Sequence, residues 1–427
     1  MFLQSLTLHA QSVVYTAMVE DDDSDIVCGL IRSWKGSKAV AYHIHNGERL
    51  FSIIDSASRT VHSARVPDIY IIKDFRIVGD TLYCGGACHD TAMMAYFDIR
   101  EIISGPNINY HVSMIDSLNM LNRLAAFRNN AKNGVGVAAI GTKTDFIAPY
   151  IMEKTYMVWC DNYGGNPFSV SIRRCEIYWS TTPSSESLND VVITEKYVAY
   201  VGIYTASSLV TIRKGDRNGP FSSTLIDTIH SYYFDAIGME SLPIAEALGP
   251  DTLAVGYTCE DLPDRHAVHI HFFDLSDMTM YNTHRLELPG SSKMHMREMV
   301  YMAKHKTLLV CTESGSGYEV IYTRPAAMGT YTYPILAISN SEEIFSMDHH
   351  NGDYYLLSTK AHWMLQRMGF PAIPGNCTTN GAGTASIWTV SMDSPRWHYS
   401  GFFSYPFFPV VLHPMSFNTT VSCASLM

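Results

Sequence analysis

Short apolar runs recur along the chain, and each ends in a small residue. They are DIVCG ending at Gly29, TLYCG at Gly85, VAAIG at Gly141, VAYVG at Gly202, TLAVG at Gly256, TLLVC at Cys311 and YYLLS at Ser358. The end points lie 56, 56, 61, 54, 55 and 47 residues apart. The position before the small residue is apolar throughout: Cys28, Cys84, Ile140, Val201, Val255, Val310 and Leu357. Turn signals precede the runs, such as VGD before Thr81, KNG before Val135, LGPD before Thr252 and NGD before Tyr354. Gly, Asn and Asp there supply the positive φ and local side-chain bonds of tight turns. After each run comes a loop and a second extended run, for example KAVAYHIH, TAMMAYFDI, AVHIHFFDL and YEVIYTR. Aromatic and β-branched residues dominate these, as they do in strands.

Working outward gives a unit of four strands. In the second unit strand A is expected at Ile69–Ile77, B at Thr81–Gly86, C at Thr91–Ile99 and D at Asn107–Met114. In the fifth, A is expected at Tyr233–Met239, B at Thr252–Thr258, C at His266–Asp274 and D at Met278–Leu288. Helical spacing is scarce, with a turn or two expected at Leu118–Ala125 and Leu242–Leu248. Four antiparallel strands repeated at roughly 40–50 residues resemble a β-propeller. One such sheet has two apolar faces and buries both only by stacking radially against its neighbours. The expected fold is therefore all-β: a seven-bladed β-propeller of four-stranded antiparallel blades, with six or eight blades as alternatives. A pair of β-sandwiches competes with it, but gives no reason for one column to recur. The whole chain, 1–427, reads as one propeller domain. Its blades are expected near 10–56, 57–116, 117–180, 188–230, 231–288, 292–339 and 340–395, and 396–427 is a closing tail.

The stretch Thr81–Ile99, TLYCGGACHDTAMMAYFDI, resembles the kelch pattern: an apolar strand, a Gly-Gly pair, then a Tyr-Asp-like strand end. The second unit alone has both glycines, and the tryptophan that follows in kelch repeats is missing. For ring closure, Phe2–His9 precedes the first blade's A strand, expected at Ser12–Glu20, and could pair near Ser386–Met392. The tail Tyr399–Met427 is the rival, with its aromatic cluster Phe402, Phe403, Tyr405, Phe407 and Phe408 packed as a closure.

Composition narrows the partners. The chain has 427 residues, 47% hydrophobic, with a formal net charge of −11 and no basic run. Such a surface has no footprint for nucleic acid or anionic lipid. The richest apolar stretch, Phe402–Leu412, is broken by Ser404, Tyr405 and two prolines, so no membrane insertion is expected. The start MFLQSLTLHAQS has no basic segment and does not read as a signal peptide. Only 17% of residues are charged. Together with abundant Ser, Thr, Asn and Tyr, this points to an extracellular or cell-envelope location, with the cytoplasm as the alternative. The nine cysteines include no CxxC pair and read as buried free thiols, with Cys377 and Cys423 as the suspected pair in an exported chain.

Candidate chemistry is sparse. Glu20–Asp25 partly resembles a calcium loop, but Ile26 and Arg32 stand where Gly and Glu are required, so an acidic turn is the reading. The HIH pairs His43/His45 and His269/His271 each put two imidazoles on one strand face, both expected on strand C. Their equivalence points to packing, and neither a metal nor a cofactor is expected. No nucleophile elbow, P-loop, dinucleotide fingerprint or HExxH occurs. Loops between strands B and C emerge on one face and present Trp34, His89, Asp90, Lys143, Asp145, Tyr204, Glu260, Asp261, Arg265 and Glu313. The insertion Gly369–Thr384 is a second contact surface, and Asn376 and Asn418 match glycosylation acceptors. The expected function is a non-enzymatic module binding a protein or carbohydrate ligand. The alternatives are a glycan hydrolase or lyase with its site on the same face, and a structural subunit of a surface assembly.

Overall fold

The computed structural model describes residues 12–18, 29–174, 186–369, 383–384 and 420–421, apart from connecting segments within those ranges such as 218–229 and 326–333. Among the described residues, six four-stranded antiparallel blades are continuous in sequence. The first comprises β2 (Gly29–Trp34), β3 (Lys38–His45), β4 (Glu48–Asp55) and β5 (Thr60–Val66). The second comprises β6 (Tyr70–Val78), β7 (Thr81–Cys88), β8 (Thr91–Asp98) and β9 (His111–Ile115), with a single helical turn, α1 (Glu101–Ser104), before β9. The third is β10 (Met120–Asn129), β11 (Gly134–Ile147), β12 (Tyr150–Asp161) and β13 (Ser169–Arg174). The fourth is β14 (Glu186–Ile193), β15 (Tyr197–Tyr204), β16 (Leu209–Asp216) and β17 (His230–Asp235). The fifth is β18 (Ile244–Ala247), β19 (Thr252–Leu262), β20 (Arg265–Asp274) and β21 (Thr279–Leu286). The sixth is β22 (Met294–Met302), β23 (Thr307–Ser314), β24 (Gly317–Thr323) and β25 (Pro334–Ile338).

A further four-stranded sheet is composite. Its strands β26 (Glu343–His350), β27 (Asp353–Thr359) and β28 (Trp363–Gly369) are completed by β1 (Ser12–Met18) from the other end of the chain. The expected count of seven blades, with Ser12–Glu20 as the inner strand of the first, is corrected accordingly. Ser12 pairs with Gly369 and Met18 with Met364, so this strand covers the outer edge of the last sheet. The first blade instead begins at Gly29, and the run expected as its second strand precedes or starts its inner one. The inner strands pack in the order β2, β6, β10, β14, β18, β22, β26 and back to β2. The molecule is thus an all-β propeller of four-stranded antiparallel blades.

Burial follows the blade interfaces. One apolar cluster joins the first two blades around Phe51, Phe75 and Phe97, with ring centroids 5.4 Å apart for both Phe51 pairs. Others lie between the second and third, third and fourth, fourth and fifth, and fifth and sixth blades. Removing this apolar surface from water is what makes sheets stack. Five cysteines, Cys84, Cys88, Cys160, Cys259 and Cys311, are buried free thiols inside these interfaces. Burial pushes the thiols of Cys84 and Cys160 up to about 12.

The small-residue column has a structural cause. Six of the seven runs are second strands of their sheets, where Gly85, Gly141, Gly202, Gly256, Cys311 and Ser358 sit. Five of them face the inner strand of their own blade beside the point where that strand irregularly shifts register: Gly85 pairs with Asp74, Gly141 with Leu121, Gly202 with Leu188, Cys311 with Glu298 and Ser358 with Ile344. A side chain at Gly85 would meet Leu121 and Leu124 of the next blade, and one at Gly256 would meet Met296 and Met299. At Gly85 and Gly256 the column lies where adjacent blades approach closely.

Leu118–Ala125 and Leu242–Leu248 were expected to form a helical turn or two, yet the first overlaps β10 and the second contains β18, and a bulge accounts for the first. In β10 an extra residue, Asn122, sits between Leu121 and Arg123 in the ladder. A bulge lets residues three apart share one face. Leu121 and Leu124 are both fully buried, and so are Ile72 and Phe75 across the bulge in β6 and Met296 and Met299 across that in β22. A strand with one bulge thus mimics helical spacing. The fifth unit's inner strand was placed at Tyr233–Met239, but the segment up to Asp235 is the outer strand of the preceding blade.

Candidate functional site

The inner strands carry a column of polar side chains, next to a bulge in β6, β10, β14, β22 and β26. It runs Arg32 on β2, Asp74 on β6, Arg123 on β10, Asp190 on β14, Glu246 on β18, Glu298 on β22 and Ser346 on β26. Carboxylates in it accept the backbone N–H of the next blade's inner strand. Leu124 N–H donates to Asp74 Oδ2 at 2.9 Å, Ala245 N–H to Asp190 Oδ2 at 2.9 Å, Tyr301 N–H to Glu246 Oε1 at 2.9 Å and Met347 N–H to Glu298 Oε2 at 2.5 Å. The first, second and last of these reach across from a bulged strand, where the ladder leaves a donor to be satisfied.

Arginines interleave with the carboxylates. Arg32 Nη2 donates to Asp74 Oδ1 at 3.0 Å, Nη1 to Ser346 Oγ at 3.2 Å and to the Ile31 carbonyl at 2.7 Å, and Nε to the Phe75 carbonyl at 3.3 Å. It therefore bridges the composite sheet, the first blade and the second. Arg76 Nη1 also donates to Asp74 Oδ1, at 2.7 Å. Asp74 is 0% exposed. Burial alone would raise its carboxyl, but Arg76, Arg32 and Arg123 together hold it below the ordinary range. The outcome differs on the other side of the hub. Burial lifts Asp190, Glu246 to about 8 and Glu298 to about 7. Glu298 keeps 22% of its side chain exposed and lies 3.9 Å from Arg32 Nη1.

A cavity of about 460 Å³ opens above this hub, lined by Arg123, Asn189, Ser241, Leu242, Ile244, His295, Met296 and Arg297. Asn189 and Arg297 are bulge residues, which is why they point to the mouth beside Asp190 and Glu298. Arg297 forms an ion pair with Glu313. His295 stands edge-on to His266, with ring centroids 5.4 Å apart.

The turns expected to carry a ligand are distributed as follows. His89 and Asp90 form the β7–β8 turn, exposed and with φ of 48° and 62°. Lys143 and Asp145 lie near the end of β11, Tyr204 ends β15, Glu260 and Asp261 lie near the end of β19, Arg265 begins β20, and Glu313 is in β23. All of these flank turns between second and third strands, which share one rim because strand direction alternates. Trp34 does not belong with them. It ends the inner strand β2 at the opposite rim, is buried, and donates its Nε1–H to the Gly79 carbonyl at 3.2 Å. The misplacement follows from the shifted strand count in the first blade. Of the rim residues, Glu313 reaches the cavity through Arg297, and the Glu260–Arg265 hairpin approaches it through His266.

The HIH pairs are not equivalent. His43 is on the second strand of its blade and His269/His271 on the third of theirs. His43 is buried with Nε2 2.8 Å from Ser52 Oγ, and burial lowers it to about 4. His271 Nε2 is 2.9 Å from the Tyr257 hydroxyl and its Nδ1 is 3.0 Å from Thr283 Oγ1. Among the described residues no group of three or more His, Cys, Asp or Glu side chains is placed to hold a metal. The acidic run 21–25, the insertion from 370 to 382, both glycosylation acceptors, Cys377 and Cys423 lie outside the described residues. No described helix is long and apolar enough to cross a membrane.

The sequence reading missed the hub. Its signal was nonetheless present as an apolar residue, a polar pair and an apolar residue: IKDF at Ile72, LNRL at Leu121, LNDV at Leu188 and MREM at Met296.

No protein-family model matches the sequence, and no curated protein matches it. Solved structures of similar shape include a prolyl endopeptidase, at 10% identity and a TM-score of 0.45, covering 85% of this chain and 51% of that one. This chain thus spans about half the length of that enzyme. The Dos1 propeller matches at 10% identity and a TM-score of 0.46, over 82% of this chain and 94% of its own. The Nup133 β-propeller domain of Vanderwaltozyma polyspora matches at 9% and 0.45, over 82% and 96%.

Proposed function

We propose that this chain is a non-enzymatic interaction module. It recognises a protein or carbohydrate ligand on the rim that bears the second-to-third-strand turns. The observation that carries this reading is the 460 Å³ cavity between inner strands, two of whose lining residues, Arg297 and His295, contact Glu313 and His266 of neighbouring strands. Concave sites with a few convergent polar groups are where ligands bind. The hub carboxylates beneath it already accept backbone N–H groups of neighbouring blades, so their first duty is structural. The glycine pair and Tyr96–Asp98 end of Thr81–Ile99 support a kelch-like reading of the second blade, and the low charge content supports an exported or cell-envelope location.

A thermal-shift screen against glycan and peptide collections tests the reading, because a ligand that binds the native state raises its Tm. A hit whose shift disappears in Arg297→Ala supports it. Hits indifferent to every rim substitution, or no hit in either collection, reject it.

One observation favours a second reading, a glycan hydrolase or lyase. Burial raises Glu298 to about 7, in the range a general acid needs, and it is partly exposed at the hub. Turnover of any glycan hit, lost in Glu298→Gln while binding persists, would replace the module reading with this one.

A further inference from the structure

Resting on the binding-module reading, we infer that the axial mouth takes an acidic peptide segment of a protein partner, its carboxylate held by Arg123 and Arg297. Two guanidinium groups line the cavity and, among the described residues, no carboxylate does. Arg123 occupies a position that Asp74 and Asp190 fill on the neighbouring inner strands. Its charge favours the ionised forms of Asp74, Asp190 and Glu298, so it lies near all three. Arg297 already meets Glu313 on its outer side. A guanidinium has five N–H donors in a planar fork and can serve a second carboxylate from the other side.

The remaining lining selects peptide over sugar. Leu242, at 49% exposure, stands with Ile244 and Met296 as an apolar lip. An aliphatic residue beside the acidic one would cover it. A sugar ring packs well on an aromatic platform, and the one ring among the described lining side chains, His295, is engaged edge-on with His266. Burial raises Glu246 to about 8 and Glu298 to about 7, which lessens the negative field that an incoming carboxylate would meet near neutral pH.

The test is selection of a displayed random peptide library on the full chain. The expected consensus contains Asp or Glu beside an aliphatic residue. Replacing that acid by its amide in the selected peptide should weaken binding about tenfold or more, the scale of a charge-assisted bond. Arg123→Gln and Arg297→Gln should each do the same, with Arg123→Lys retaining part of the affinity and raised salt weakening the wild type. Circular dichroism and Tm check that variants are folded. Should Arg123→Gln not fold, Arg297→Gln, in an exposed ion pair, carries the test with the peptide amide. The inference is overturned if the selected peptides lack an acidic residue, if both Gln variants bind them as well as the wild type, or if no peptide is selected. Acid-free peptides or glycans that still require the rim leave the module reading standing. A chain that captures neither peptide nor glycan loses both.

Discussion

Asp348 Oδ2 accepts the backbone N–H of Ser33 at 2.5 Å, and Ser33 Oγ donates to the carbonyl next along, that of His349, at 2.7 Å. These residues are 315 apart in sequence, yet the contact repeats the device by which Asp74 holds Leu124 and Asp190 holds Ala245. β26 and β2 are joined by the same carboxylate-to-amide bond that links β6 to β10, β14 to β18, β18 to β22 and β22 to β26.

Asp348→Ala should therefore cost about 1–3 kcal/mol, the scale of a lost hydrogen bond to a charged acceptor with its donor left unmade. Asp348→Asn keeps an acceptor and should cost less. Equilibrium urea unfolding measures both, and an alanine variant as stable as the wild type would refute the joining role.

Deleting residues 12–18 removes β1 and leaves β28 as an open edge in the composite sheet. Unpaired edges recruit other strands. The shortened chain is expected to self-associate with rising concentration in size-exclusion chromatography and to melt at lower temperature. A monomer with unchanged Tm would show that β1 is dispensable.

Stability should depend on pH through opposing groups. Glu246 and Glu298 have folded values of about 8 and about 7, above the ordinary 4.5. Their contribution is complete below 4.5 and is lost as pH rises through 7 and 8. His43, held at about 4 against an ordinary 6.5, contributes above 6.5 and loses that contribution as pH falls through 4. Between pH 6.5 and 8 the glutamates dominate, so unfolding free energy should fall, by at most about 1.4 kcal/mol per pH unit for each proton. Glu298→Gln keeps an acceptor for Met347 N–H and should flatten this limb. Urea titrations at pH 6.5, 7.2 and 8.0 decide the matter; an unaltered slope in the variant would remove Glu298 from the account.

Two glycines separate backbone strain from crowding. Gly36 has a φ of +68° with open space around it, so Gly36→Ala should cost about 1 kcal/mol. A methyl at Gly86 would overlap the Ile71 carbonyl oxygen of the paired inner strand. Gly86→Ala should cost about 3 kcal/mol or leave little soluble protein. Comparable denaturation midpoints for the two variants would contradict the close approach.

Much of the second blade was legible because its signals are local. The turn at Gly79–Asp80, the run Thr81–Gly86 and the alternating Thr91–Ile99 lie within one hairpin, and each segment is a strand or turn where expected. The inner strands were misread for an equally physical reason. Bulges at Asn122, Asn189 and Arg297 break the alternation on which strand recognition depends. The candidate site was legible only as a rim of turns. Glu313 was picked out, but its partner Arg297 and the axial Arg123 looked like ordinary surface charge, since charged residues are rarely buried.

By itself the sequence determined the repeating strand, the small residue within it and the turn that introduces it, because each is a short-range property of backbone and side-chain size. Tertiary structure alone decided that Ser12–Met18 completes a sheet begined some 350 residues later, and that Arg32, Asp74, Arg123, Asp190, Glu246 and Glu298 meet around one axis. Their meeting depends on how far each sheet rotates against the next. That rotation is set by packing across interfaces between blades, which no stretch of a single strand encodes.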